Sequence, residues 1–355
     1  MPDGAVSQVK DSRPSIMIEG QRDATLTAAI MQLHVRESHE GLAHCEIMFG
    51  NWGGDNAGGF QHFDRDKIEF GKALELVLGD ATLFEGRISA ITANFPEGGT
   101  PQVGICAEDR LQDLRMTRRT RTFADASLAD VLNKIANDHG LTPQIDVSGE
   151  TYKLLAQVNQ SDLAFARDLA RREDVQVWVE GTQLKAAQRA RRQSDTVELA
   201  WAGKLREFCV SADLAHQRTK LTASGWSVSD KQVAKNEADD AVIQPELNGG
   251  DSGASILKSA FGERPDTLAH GTPASDSQAR ALAEASFRHM ARRFVVGRGV
   301  AETLPEIKVG AKLKITGVGP LFEGDYTTTD VSIRYDAKSG LRTEFLCDRP
   351  AIGKP

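Results

Sequence analysis

The chain has 355 residues, enough to bury more than one core, with 40% hydrophobic and 26% charged residues and a formal net charge of −7. That balance excludes a nucleic-acid binder working through overall positive charge, and no apolar run is long enough to cross a bilayer as a helix. The N-terminus lacks a basic-apolar-small leader pattern, so no secretory route is expected, and Cys45, Cys106, Cys209 and Cys347 lie far apart with no C-x-x-C pair, which reads as buried reduced thiols.

Residues 1–14 are polar and expected to fray. From Ser15 the period is two: Ile16 and Ile18, then a longer extended stretch over 25–38 with Ile30, Leu33 and Val35, then 43–49. The segment NWGGDNAGG at 51–59 reads as a Gly/Asn loop. Leu74, Leu76 and Leu78 share one strand face, a strand runs from Leu83 through Ile88 and Ile91, and the PEGGTP turn at 96–101 closes a hairpin onto Val103 and Ile105. Short strands with short connections over 15–115 predict a small antiparallel barrel.

The pattern then turns helical. Leu111 and Leu114 sit on a short turn of helix, and Arg118, Arg119 and Arg121 follow. Ser127 with Asp130 opens a capping box for a helix carrying Leu128, Val131, Leu132 and Ile135, which ends at His139-Gly140. Ser161 caps a second helix with Leu163, Phe165, Ala166 and Leu169 inside, and strands follow at 175–179 and from Leu184. This predicts an inserted α+β domain over 116–192, bounded by the first Arg cluster and by Arg189, Arg191 and Arg192.

Strand period returns at Val197, Leu199 and Trp201, at Leu205, Phe208 and Val210, and over 221–226, so 193–228 is assigned to a second barrel. Residues 229–273 are polar, Gly-rich and weakly periodic, which predicts a long loop or a partly ordered crossover. A helix capped at Ser275 carries Ala279, Leu282, Ala283, Phe287, Met290 and Phe294, and completes a crossover over 229–294. Residues 295–352 supply the remainder of the second barrel, ending in a hairpin over 326–347 with a DAKSG turn.

The two barrels are linked by an internal repeat. Residues 68–86 read IEFGKALELVLGDATLFEG and residues 307–324 read IKVGAKLKITGVGPLFEG. Gly71, Leu83, Phe84 and Gly86 align with Gly310, Leu321, Phe322 and Gly324, at an offset of 239 from Gly71 to Gly310 and 238 from Gly86 to Gly324. The alignment makes the second copy one residue shorter in its turn. Two distant copies are too few for a solenoid and read as two similar β-domains. The fold class expected is therefore β-rich α+β: two tube-protein-like antiparallel barrels, an inserted α+β domain, and a long crossover containing a helix.

Catalytic patterns are not found. There is no G-x-S-x-G, H-E-x-x-H or G-K-[ST] phosphate loop. His34, His39 and His44 are spaced by fives, which fits neither a helical nor a strand pair of metal ligands, and His62 follows them. Glu85 and Glu323 lie beside Gly at turns and read as solvent-facing acids. No catalytic residue, metal or cofactor is assigned. The two Arg clusters leave and rejoin the scaffold at one place, so they are expected to lie close together and to repel unless something negative sits between them. An acidic partner or a neighbouring subunit would fill that role, against the plainer reading of a solvated rim.

The runs AEDRLQDLRMTRRTRTFADASLADVLNKIANDHGL (107–141), NQSDLAFARDLARREDVQVWVEGTQL (159–184) and LFEGDYTTTDVSIRYDAKSGLRTEFLCDR (321–349) resemble the phage late control protein D family. Two departures are Ile333-Arg334, where that family often has His, and Leu341, near which it often has Tyr. The resemblance implies a non-enzymatic baseplate hub of a contractile tail or injection system, similar to the N-terminal part of VgrG. It implies a homotrimer whose six barrels join a sixfold tail tube to a threefold spike. The implied partners are a tube or tube-initiator protein, a separate spike, wedge or sheath components, and tape measure or cargo in the lumen. The spike is expected on a separate polypeptide because no OB-fold or β-helix follows the last hairpin. The implied setting is assembly in the cytoplasm and incorporation into a phage tail or released particle. Two other classes remain open on the residues alone: a cell-wall hydrolase, which requires paired carboxylates or Cys/His in a cleft, and a carbohydrate-binding module, which requires clustered exposed aromatics and has Trp52 as its obvious loop residue.

Overall fold

The structure is a computed structural model that describes residues 13–53, 58–63, 65–192 and 195–354. Most of the polar N-terminal stretch, residues 54–57 of the Gly/Asn loop, and residues 193–194 lie outside the described residues.

In chain order the first β-unit contains β1 (Ser15–Ile18), β2 (Gln21–Arg22), α1 (Ala24–Ala29), β3 (Ile30–Ser38), β4 (His44–Gly50), β5 (Trp52–Gly53), β6 (Gly59–Phe60), β7 (Ala73–Leu78), β8 (Ala81–Asn94) and β9 (Gln102–Glu108). The stretch expected to be extended from residue 25 begins instead as helix α1. Asp23 accepts a hydrogen bond from the Leu26 amide at 2.9 Å, and the turn buries Leu26 completely. A cap this close to two β-branched Thr residues outweighs their strand preference.

The insert contains α2 (Leu111–Met116), β10 (Arg118–Ser127), α3 (Leu128–Asp138), β11 (Thr142–Asp146), β12 (Thr151–Ser161), α4 (Asp162–Arg172), β13 (Val175–Glu180), β14 (Gln183–Gln188) and the 3-10 turn Arg189–Arg191. The predicted capping box is present in full at Ser127 and Asp130, and Ser161 accepts from the Ala164 amide. Two small sheets, β10-β12 and β11-β14-β13, pack on α3 and α4. Leu111 and Leu114 belong to this core and not to that of the β-unit, so α2 packs with the insert although it was expected before its boundary.

The remainder contains β15 (Thr196–Ala200), β16 (Leu205–Ala212), β17 (Lys220–Ser227), β18 (Gln232–Asp239), β19 (Asp251–Ser252), α5 (Gly253–Phe261), β20 (Pro265–Thr267), α6 (Asp276–Arg292), β21 (Val295–Ala301), β22 (Lys312–Thr316), β23 (Gly324–Asp336), β24 (Gly340–Arg349) and β25 (Ala351–Ile352). Two expectations are corrected here. Strand β17 does not join the second barrel: it pairs with β18 and β20 in a separate three-stranded sheet. The expected crossover loop is ordered structure, because Leu221, Ala223 and Ala238 of that hairpin pack on Ala279, Ala283 and Phe287 of α6. Small alanines gave this segment little hydrophobic signal, yet they allow close sheet–helix approach.

The duplication is a property of one continuous sheet. The path β3-β4-β9-β8-β7 in the first half has the same order as β16-β21-β24-β23-β22 in the second. Even the irregularities match. A bulge lies between Ile30 and Gln32 against β4, and between Leu205 and Glu207 against β21. Another lies between Ile88 and Ala90 against β9, and between Thr328 and Asp330 against β24. Gly71 and Gly310 both have positive φ, 81° and 88°, and their amides donate to the Ile88 and Thr328 carbonyls. Contrary to the picture of two separate cores, β23 also pairs with β3, so 13 strands form one sheet and one buried cluster runs through both halves.

The register corrects the sequence alignment of the repeat. Leu74 pairs with Gly86, whereas Leu313 pairs with Tyr326. Gly86 therefore occupies the position of Tyr326, and Gly324, opposite Ile315, that of Phe84. The second connection is longer, not shorter: in it Leu321 and Phe322 form a turn, and Glu323 accepts from the Gly317 amide at 2.7 Å. In the first copy Leu83 and Phe84 already lie within β8.

Candidate functional site

Two open strand edges of the sheet, on β8 and β16, offer surfaces for assembly; β2 and β15 also have a strand on one side only among the described residues. On β8, strand β7 covers only residues 81–87, while β9 continues on the other side as far as Asn94. Residues 89–94 (SAITAN) have no strand on their outer side among the described residues. On β16, strand β21 pairs on one side, and apart from a bridge between Trp201 and Leu205 no strand pairs on the other among the described residues. Residues 208–212 (FCVSA) are uncharged, as are 89–94. Exposed edges of soluble proteins usually carry charge or Pro to prevent pairing, and neither edge does.

Beside the β8 edge is a cluster of exposed aromatics. Phe95 is 61% exposed and packs against Phe60 and Phe63, each with ring centres 6.1 Å away; Trp52 meets Phe60 at 5.5 Å. Sequence reading found only Trp52 there, because Phe95 lies beyond a turn 43 positions later and only the fold brings the two together.

Each Arg cluster finds acidic partners within the chain. Arg119 Nε donates to Asp162 at 3.0 Å and Arg121 reaches both Asp162, at 3.1 Å, and Asp138, at 2.6 Å. Asp162 is fully buried and also accepts from Gln157 and pairs with His139. Burial alone would raise its pKa, but these hydrogen bonds and the Arg121 charge hold it below the ordinary range. Arg118 donates to the Asn159 carbonyl. At the other end of the insert, Arg189 pairs with Asp348 of β24, and Arg192 lies over the Trp178 ring at 4.4 Å and reaches Glu37 of β3 at 3.3 Å. Burial pushes the Glu37 pKa up despite Arg192. The two clusters thus have separate acidic partners within the chain, and no outside anion is needed to hold them. Arg191 is exposed.

No group of three or more His, Cys, Asp or Glu side chains is arranged to hold a metal ion among the described residues. His34 and His44 are 6.5 Å apart edge to face, and His62 packs on Phe49. Glu85 and Glu323 lie on different halves of the sheet. No helix among the described residues is long and apolar enough to cross a membrane.

A duplicated sheet joined through its own strands, with an inserted α+β unit, is a fold shared with tail and secretion-system proteins. The fold is similar to that of the 43 kDa tail protein of prophage MuSo2 from Shewanella oneidensis, with a TM-score of 0.73 at 11% identity over 95% of this chain and 98% of that one. It is similar to a tail protein from Neisseria meningitidis MC58, with a TM-score of 0.68 at 10% identity over 95% and 96% of the two chains. The E. coli c3393 protein, a type VI secretion component with structural similarity to the phage T4 tail proteins gp27 and gp5, gives 0.58 at 12% identity over 96% of this chain and 79% of that one. The chain belongs to the family described as the Alg8 N-terminal domain, which matches residues 9–336. No curated protein matches the sequence.

Proposed function

We propose that this protein is a structural component of a phage tail, baseplate or related secretion apparatus, and within it the hub that adapts a sixfold tube to a threefold spike. The observation that carries this reading is the duplication: two halves with the same strand order and the same two bulges stand side by side in one sheet. Three such chains present six nearly equivalent β-units, alike enough to continue a sixfold tube. The insert and the α6 layer differ between the halves and give each chain a distinct outer face for a threefold partner. The late control protein D resemblance and the tail-protein folds support the same reading. The partners proposed are other copies of the chain, a tube or tube-initiator protein, a separate spike, wedge or sheath components, and tape measure or cargo in the lumen. We propose no catalytic step for it.

The aromatic cluster is what a carbohydrate-binding reading would use. Trp52 and Phe95 each stand edge to face on Phe60, at 84° and 88°, and Phe63 is tilted by 34° from Phe60, so the four rings do not form one flat platform for a sugar and we assign the cluster to protein contact. Sedimentation of the purified full chain over a wide concentration range tests the hub. A trimer is expected; a strict monomer that also fails to bind tube or spike proteins overturns it.

A further inference from the structure

The seam between the two halves specifies how one copy should meet the next. Within the chain, β23 pairs antiparallel with β3: Asp330 opposite Ser38, Ser332 opposite Arg36, Ile333 opposite Val35, Arg334 opposite His34 and Tyr335 opposite Leu33. Every residue of this seam has a counterpart in the other half. The matched bulges and pairs set Ile88 against Thr328 and Ala107 against Cys347, which carries 330–335 of β23 onto 90–95 of the β8 edge. They set Cys45 against Gly297, and hence Val35 against Val210, which carries 33–38 of β3 onto 208–213 of the β16 edge. The counterpart of β23 is therefore β8, and the counterpart of β3 is β16. Both are left open in the single chain, and their stretches 89–94 and 208–212 carry no charge.

We propose that β8 of one copy pairs antiparallel with β16 of a second copy in the register of the internal seam, with Thr92 opposite Ser211, Ala93 opposite Val210, Asn94 opposite Cys209 and Phe95 opposite Phe208. The proposal rests on the multi-copy reading above and adds its strand pair and register. Ala93, exposed in the single chain, takes the position of the buried Ile333 and would be covered by the pairing, while Asn94 and Cys209 take those of Arg334 and His34 and face outward, in keeping with the exposure of Cys209. The exposed Phe95 takes the position of Tyr335, beside Phe208, which already packs edge to face on Tyr326. Pairing would cover the aromatic ring that the lone chain leaves in water and supply the missing partners of both edges. Because the contact is head to tail, repeating it gives a ring when the rotation between copies closes, as the trimer proposed above requires.

The test uses the native Cys209. Directly opposed residues of an antiparallel pair have Cα atoms about 4.5–5.5 Å apart, within disulfide reach. Full-length Asn94→Cys is oxidised, and in parallel treated with a short bis-maleimide, at concentrations where sedimentation shows assembly. Covalent multimers are expected on a non-reducing gel. They should be lost in Asn94→Cys with Cys209→Ser, and absent for Ala93→Cys, which lies opposite Val210 with its side chain on the other strand face from Cys209. Phe95→Asp, at a position exposed in the single chain, should leave the circular dichroism spectrum unchanged and abolish assembly at the same concentration. Trimers that neither reagent links through Asn94→Cys, equal linking by Ala93→Cys, or unchanged assembly of Phe95→Asp would overturn the register and leave the hub reading standing. A strict monomer would overturn the pairing, and one that also fails to bind tube or spike proteins would overturn the hub reading with it.

Discussion

Gly86 shows how close the backbones approach inside the sheet. A Cβ there would lie 2.5 Å from the Glu108 carbonyl oxygen and 2.6 Å from the Phe84 ring. Gly86→Ala should therefore cost about 1–3 kcal/mol by overpacking, read as a lower thermal midpoint. Its supposed counterpart Gly324 has a different reason to be Gly: a φ of 134° and the Arg349 guanidinium 2.6 Å from where a Cβ would be. At Asp162 the issue is charge. Arg121→Ala removes one cation from a fully buried carboxylate that keeps Arg119, His139 and Gln157, so a loss of about 2 kcal/mol is expected, against almost none for the exposed Arg191→Ala. Equal urea midpoints for the two variants would contradict this. Asp109 predicts a pH effect. Its carboxylate accepts from the Ala43 and Leu111 amides, yet burial pushes its pKa up from 3.8 to about 6. Between those values the folded chain keeps a proton that the unfolded chain releases, so this group's contribution is present below the window and lost as pH rises through it. Asp109→Asn should narrow its stability gap to wild type, or gain on it, as urea denaturation is repeated from pH 4 to pH 7; a gap independent of pH would contradict the assignment.

At the scale of elements, caps and periodicity made the helices of the insert legible: Ser127 and Ser161 cap where expected, and Leu128, Val131, Leu132 and Ile135 are buried together. Strand existence was legible as well, but pairing was not. The repeat was found through Leu-Phe-Glu-Gly, the part whose structural positions do not correspond. The real equivalence lies in Gly71 with Gly310 and in bulges at Ser89 and Thr329, which leave no mark in residue type. The Arg clusters were visible as charge, while their partners Asp162, Glu37 and Asp348 are distant in sequence and became evident only in the fold. The β17-β18 hairpin was missed because its inner face is largely alanine, and its contribution can be measured. Ala283 is fully buried where α6 faces that sheet. Ala283→Leu should overpack this contact by about 1–3 kcal/mol. Hydrogen exchange should speed up over residues 220–239 before it does in β3 or β4. Uniform change across the chain would mean that the layer is not a separate unit.

In the whole molecule, Arg292 holds three parts together. It is 3% exposed at the end of α6, and its guanidinium donates to Asp174 of the insert and, at 2.6–2.7 Å, to Glu246 of the crossover. Burial works against its charge, but the two carboxylates outweigh burial and hold its pKa above the ordinary Arg value. Arg189 makes a second tie from the insert to β24 through Asp348. If the outer parts seat a threefold partner, their orientation on the sheet must be fixed, and these ion pairs help to fix it. Arg292→Met retains most of the side-chain volume and leaves Asp174 and Glu246 facing each other without a cation. A loss of about 3 kcal/mol is expected, since both carboxylates keep some contact with water. The β-sheet has its own core, so the loss should appear as loosening of the insert rather than as unfolding of the scaffold. Limited proteolysis should then cut first at residues 189–192, at the end of the insert, while assembly persists. Cleavage first within β3 or β23, or loss of assembly before any cut near the insert, would show that Arg292 supports the sheet itself.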